Sequence, residues 1–148
     1  MKKFFFCSAL LLFIAFAFPA RQGHCEAQTP EQLVRDFYTW YINMYDIPSV
    51  YAIDDDEIYK YVYVCTVKRL RMEHKMGVGD ADYFLKSQDF NTEFLKSLSI
   101  HNSIKINDTV SIIPIDFGAK NNFPSLIVFV QNEDRVWRIT KVEYNRGY

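Results

Sequence analysis

Three carboxylates and an amide stand among aromatic side chains in one short stretch of this sequence. The stretch is Gly79-Asp80-Ala81-Asp82-Tyr83-Phe84-Leu85-Lys86-Ser87-Gln88-Asp89-Phe90, just after Gly77. Paired carboxylates can share acid–base work, but only when held across a cleft at set separations. Spacing along the chain does not provide that, and no catalytic residue is assigned. Two readings of the segment stay open. In one, Asp80, Asp82, Tyr83, Gln88 and Asp89 form a binding surface, because acids and an amide among aromatics are poorly explained by core packing. In the other, Asp80 or Asp82 caps a short helix whose Tyr83, Phe84 and Phe90 pack inward.

The remaining chemistry-bearing groups read more simply. Asp54-Asp55-Asp56-Glu57 lacks the alternating oxygen ligands and the turn glycine of a calcium loop. Acidic side chains in that number suit a helix N-terminus, where the macrodipole is positive. Neither a metal site nor a cofactor is expected. A nucleophilic cysteine needs a base and an electropositive setting. Cys65 instead lies among Val62, Val64 and Val67, the surroundings of a buried thiol. Nothing in the sequence ties His74 or His101 to it.

The first residues have the form of an export signal. Lys2 and Lys3 precede an apolar run from Phe4 to Phe18 that Pro19 ends. A run of about fifteen residues matches a signal peptide and is short for a membrane span. Cleavage after Ala27 places small Cys25 and Ala27 where the peptidase reads. His24 before Cys25 argues against lipidation, so no stable membrane anchor is expected after cleavage, and the destination is periplasmic or secreted. Residues 28–148 are then a single domain. Lys2, Lys3, Arg21 and Glu26 leave with the leader, so 14 basic and 17 acidic side chains remain from 17 and 18. No basic stripe appears, and nucleic acid is not an expected partner. Cys7 and Cys25 leave as well, and one thiol cannot form an internal disulfide framework. Aromatic residues are 17% of the chain, which suits a packed core or a contact surface.

The elements that must position these groups follow from patterning. Thr29-Pro30-Glu31-Gln32 is a helix start, with Thr29 as cap, Pro30 at the first position and Gln32 completing a capping box. Leu33, Phe37, Trp40, Tyr41 and Met44 continue it as one apolar stripe, and Pro48 closes it. Residues 58–72 carry strand formers, but Ile58, Val62, Cys65 and Met72 keep helical spacing, and the stretch reads as a helix stopped by Gly77 and Gly79. A short helix follows from Asn91 through Leu98. From Ile100 the texture turns to strand: 103–106, 109–117, 126–130 and 136–144. Pro114 implies an edge or a bulge. Val142 is out of phase with Trp137 and Ile139, which places a bulge near Thr140. The fold class is α+β, N-terminal helices packed on a curved antiparallel sheet.

Val136-Trp137-Arg138-Ile139-Thr140-Lys141-Val142 resembles the last strand of nuclear transport factor 2-like, cystatin-like domains. The D-A-D-Y-F-L-K-S-Q-D string from Asp80 to Asp89, together with Pro30 to Tyr38, is similar to an uncharacterised family of exported Gram-negative proteins with that cone-shaped fold. The resemblance covers roughly residues 29 to 145. It implies a periplasmic location and a concave pocket between helices and sheet, but no activity. Members include lipoproteins, from which this chain departs by lacking a lipobox. Some related small periplasmic domains serve as immunity proteins against toxins injected by neighbours, an association by class only.

Three functions fit. The first is a non-enzymatic periplasmic interaction domain with a protein partner, an immunity-type inhibitor of a toxin aimed at the cell envelope. The second is binding of a small ligand or envelope component in the cone, lined by Tyr38, Tyr41, Phe129 and Trp137. The third is a hydrolase-like enzyme using Asp80, Asp82 or His101.

Overall fold

A computed structural model describes residues 28–79, 81–88, 91–118 and 125–145. The leader assigned to residues 1–27, and with it Asp80 and Asp89, lies outside the described residues.

Helix α1 runs over Pro30–Met44. Thr29 is extended at φ −76° and ψ 158°, and its Oγ1 accepts the Gln32 amide at 3.1 Å. The return half of the capping box is not made; the Gln32 side chain is turned along the helix, its Nε2 donating to Asp36 at 2.6 Å. Leu33, Val34, Phe37, Tyr38, Tyr41 and Ile42 are buried. Two adjacent rows at helical spacing give α1 a broad apolar face rather than a seam. Trp40 and Met44 sit at its margin, with Trp40 stacked on Tyr61 at 5.3 Å.

The single helix expected over 58–72 is instead two elements. A 3₁₀ turn at Asp56–Lys60 is capped by Asp55, which accepts the Glu57 amide at 2.7 Å. Helix α2 follows at Val64–Lys75. Between them Val62 forms a parallel bridge to Ile139; the Tyr63 amide donates to the Ile139 carbonyl at 2.8 Å, and the Ile139 amide to Tyr61 at 2.7 Å. The strand preference of Tyr61-Val62-Tyr63 wins there because the sheet offers a partner and Val62 is fully buried by it. Cys65 is also a correction. It is exposed, since Thr66 and Val67 take the inward side of α2's first turn.

Gly77 stops α2 at φ +66°, with Gly77 N–H bonded to the His74 carbonyl and Val78 N–H to that of Glu73. This paired closure is the Schellman arrangement. The helix read from Asn91 shrinks to one turn, α3, at Phe94–Ser97.

The sheet comprises β1 (Ser99–Ile100), β2 (Ile104–Lys105), β3 (Val110–Asp116), β4 (Leu126–Glu133) and β5 (Val136–Tyr144), all antiparallel, in the order β1-β3-β4-β5 with β2 also on β3. Pro114 therefore lies neither on an edge strand nor in a bulge. Its carbonyl accepts from His101, which fixes the side its nitrogen faces, and on that side the neighbouring strand is interrupted between β1 and β2. The missing amide hydrogen meets a gap in the ladder. The bulge expected near Thr140 is present: Phe129 pairs with Lys141 and Val130 with Ile139, so Thr140 is the extra residue.

Alternation on the strands sets the core. Ile113, Ile115, Phe117, Leu126, Val128, Val130, Ile139 and Val142 point inward against α1, with Phe84 and Leu85 inserted from the loop at 81–88. Phe37 packs edge-on to Phe84 at 4.8 Å and to Tyr38 at 5.1 Å. The space between helix and sheet that a cone would leave open is filled by these rings.

Candidate functional site

Asp82 organises the segment that drew notice in the sequence. Its Oδ1 accepts the backbone amides of Phe84 and Leu85, both at 2.8 Å. The Lys86 amide donates to the Asp82 carbonyl at 2.8 Å, and the Asp82 amide to the Ser87 carbonyl at 3.0 Å. Lys86 adopts φ +52° to close the loop. The loop is thus pinned at its mouth, and Phe84 and Leu85 at its tip enter the core. Tyr38 holds the tip by donating to the Phe84 carbonyl at 2.9 Å. The other carboxylate oxygen, Oδ2, accepts from Tyr41 and from Tyr45, each at 2.6 Å. One acid thus ties the loop to successive turns of α1. Burial, and then the Asp82 charge, push both phenols well above their ordinary range, so they stay protonated donors.

A groove of about 770 Å³ opens beside this cluster. Its walls are the C-terminal end of α1 (Tyr41, Tyr45), residues 51–53, the second half of α2 (Leu70, Glu73, His74), Val78 with Gly79, and the loop from Ala81 to Gln88. No strand residue lines it. Of the residues expected to line a pocket, Tyr41 does. Tyr38 is fully buried as a core residue. Phe129 faces away from the core, because inward positions on β4 are Leu126, Val128 and Val130; Lys141 covers its ring at 5.7 Å. Trp137 packs partly buried against the core. Of the expected binding residues, Asp82, Tyr83 and Gln88 all reach the groove, with Gln88 exposed.

Tyr83 gathers cations. The Arg69 guanidinium lies 5.1 Å and the Lys86 ammonium 4.1 Å from its ring centre. Its hydroxyl accepts from the Val142 amide at 3.4 Å, which fastens the loop to β5. Arg69 is held bidentately by Glu73 at 2.8 and 2.9 Å, and Lys141 by Glu143 at 2.7 Å. Lys86 makes no ion pair among the described residues. Burial lowers its affinity for a proton, as do Arg69 and Lys141, against the opposing pull of Glu143 and Asp82.

Among the described residues, acid–base chemistry has little to work with in the groove. Both oxygens of Asp82 are occupied. His74 sits 3.9 Å from Asp54, beside the Tyr51 ring at 5.0 Å. His101 is elsewhere, on the far side of β3, where its Nε2 lies 2.7 Å from Asp116 and Ser125 donates to the other oxygen of the same carboxylate. With the acid in the middle, the serine has no imidazole to deprotonate it. The Ser125 bond, opposed by partial burial and aided by His101, keeps the Asp116 carboxyl below its usual range. Among the described residues no group of three or more His, Cys, Asp or Glu could hold a metal.

The arrangement suits binding: phenols and a half-buried ammonium inside, apolar side chains outside. Sequence reading missed Tyr45, Tyr51 and Lys86. The available signal was the i, i+4 spacing of Tyr41 and Tyr45, which sets both hydroxyls on one helix face.

No protein-family model and no curated protein matches the chain. Solved structures similar to it include two of one complex. A chain of the native type VI effector–immunity complex Tae3–Tai3 from Ralstonia pickettii matches 82% of this chain and 98% of its own length, at 30% identity and a TM-score of 0.73. A chain of the selenomethionine crystal of the same complex matches 81% and 99%, at 29% identity and a TM-score of 0.68.

Proposed function

We propose that this chain, which belongs to the same family as a subunit of the type VI effector–immunity complex Tae3–Tai3, is the immunity partner: a non-enzymatic domain that binds a toxic effector and blocks it. The observation that carries the reading is the match over 98% of that subunit at 30% identity. The chemistry of the groove favours the immunity side of the pair. An effector must carry out a damaging reaction, and here Asp82 is spent on structure while His74 and His101 stand apart from it. An inhibitor needs only a complementary surface. The leader read at residues 1–27 supports a periplasmic site of action, where an effector aimed at the cell envelope would be met.

The test is protection. A Tae3-type effector from the same genome is sent to the periplasm of a sensitive strain, with and without this chain. Restored growth, lost when residues 2–27 are deleted, is the expected result. Unchanged killing at matched expression would sink the reading. A groove of about 770 Å³ also falls within the usual range for small-molecule pockets. Native mass spectrometry that finds a stoichiometric small molecule, in a chain that fails to protect, would favour ligand binding instead.

A further inference from the structure

An immunity reading leaves open which face meets the effector. Exposed apolar side chains are unevenly spread over the described residues. Of the twelve large ones, seven fall in two short segments: Tyr45, Ile47, Val50 and Tyr51 after α1, and Met72, Met76 and Val78 at the end of α2. These segments meet, since Tyr51 packs on His74 and both border the groove with Tyr45 and Val78. Tyr51, Met76 and Val78 are each about 60% exposed. Clustered exposure of this kind marks an interaction surface, and tyrosine and methionine are residues that protein interfaces favour.

Charge narrows the choice of occupant. Among the described residues, the acids that line the groove are already engaged: Glu73 by Arg69, and Asp82 by two phenols and two amides. Lys86 is the cation left over. It lines the groove, rests on the Tyr83 ring and makes no ion pair among the described residues. Much of its water is already displaced, so an incoming carboxylate gains a charge-assisted bond at a smaller desolvation penalty than at a free surface.

We propose that this groove is the effector-docking surface, and that it receives an acidic side chain of the effector on Lys86 between the apolar rim formed by Tyr45, Tyr51 and Val78. The inference rests on the immunity reading and adds the surface and the chemistry of the contact. The apolar rim excludes water and supplies area; the ammonium supplies register, because an effector segment without an acid at that point leaves Lys86 buried and unpaired.

The experiment is titration calorimetry of the full exported chain against the Tae3-type effector of the same genome, with folding checked by thermal denaturation. Lys86→Met keeps the aliphatic stem and removes the charge, and is expected to weaken binding by about 30-fold or more. Lys86→Arg should keep most of the affinity. Tyr51→Ser should weaken binding, and Ile127→Ser on the opposite sheet face should change it less than about threefold. A wild-type chain that binds tightly while Lys86→Met and Tyr51→Ser bind equally well overturns the proposal; a loss confined to Ile127→Ser places the effector on the outer sheet. A dimer of the free chain that Tyr51→Ser dissolves also overturns it, by giving the rim to a second copy. A wild-type chain that binds no effector removes the immunity reading itself, and this inference with it.

Discussion

The hydroxyl of Tyr41 and the carboxylate of Asp82 lie 41 residues apart in sequence and 2.6 Å apart in space. Tyr45 reaches the same oxygen, and the second oxygen holds the amides of Phe84 and Leu85. Asp82→Ala removes every one of these acceptors and strands the hydroxyl of Tyr41, a residue only 3% exposed. A loss of about 2–4 kcal/mol is expected in urea denaturation, from unsatisfied buried donors and a freed loop. Asp82→Asn should fall between, because its single carbonyl can serve either the phenols or the amides. A change below about 0.5 kcal/mol for Asp82→Ala would show that the loop is held by Phe84 and Leu85 alone.

The same cluster predicts alkaline sensitivity. Burial raises the folded-state pKa of Tyr38 and Tyr41, and of Tyr45 with Asp82 adding to it. Tyrosines in the unfolded chain ionise near pH 10. Below that pH their contribution to stability is fully present. Above it the unfolded state gains phenolates that the fold refuses, and stability falls on through the raised folded values. Lys86, whose folded pKa is lowered, works in the opposite direction over the same window, one group against three. The urea midpoint should therefore drop between pH 9 and about pH 11. A flat or rising midpoint would mean that these phenols are hydrated in solution.

Gly77 closes α2 and leads the chain toward the groove. At φ +66°, an added Cβ would meet nothing within 4 Å. Gly77→Ala thus costs backbone conformation without a clash, about 1–2 kcal/mol. Because Val78 lies one residue on, the substitution should also loosen the rim and weaken effector binding. Equal stability for the two proteins in thermal denaturation would contradict the left-handed closure.

Much of this was legible in the residues. The Thr29-Pro30 start, the apolar face of α1, the antiparallel order of the last strands and the bulge at Thr140 all follow from local periodicity and residue type, which act within a few positions. The break at Tyr61–Tyr63 was not legible. Helical spacing and strand propensity conflict there, and the outcome depends on the Ile139 backbone, 77 positions on from Val62. Pro114 misled for a similar reason: the gap that accommodates it belongs to another strand. For the site, Asp82 and Tyr83 do line the groove, while the short helix expected after Asp80 or Asp82 is a turn instead. Asp82 pins that turn through the Phe84 and Leu85 amides, and its loop is a groove wall. Phe129 was misplaced onto the pocket because strand alternation gives two faces and does not say which is inside.

Cys65 is the position where expectation and structure part most clearly, and the difference can be measured. Its valine neighbours suggested burial, yet Val64 is exposed and Cys65 turns outward beside it at the start of α2. A thiol so placed should react with an aromatic disulfide reagent in the folded protein at a rate independent of unfolding. Comparison with Cys65→Ser isolates it from Cys7 and Cys25. Because the side chain has little packing to lose, Cys65→Ser should change stability by less than about 0.5 kcal/mol. In an oxidising compartment the same exposure permits a disulfide-linked dimer, visible on a non-reducing gel and absent in Cys65→Ser. Since Cys65 lines no part of the groove, that dimer should still bind effector. A thiol that titrates only after denaturant is added would return α2's first turn to the core and require Thr66 or Val67 to face solvent in its place.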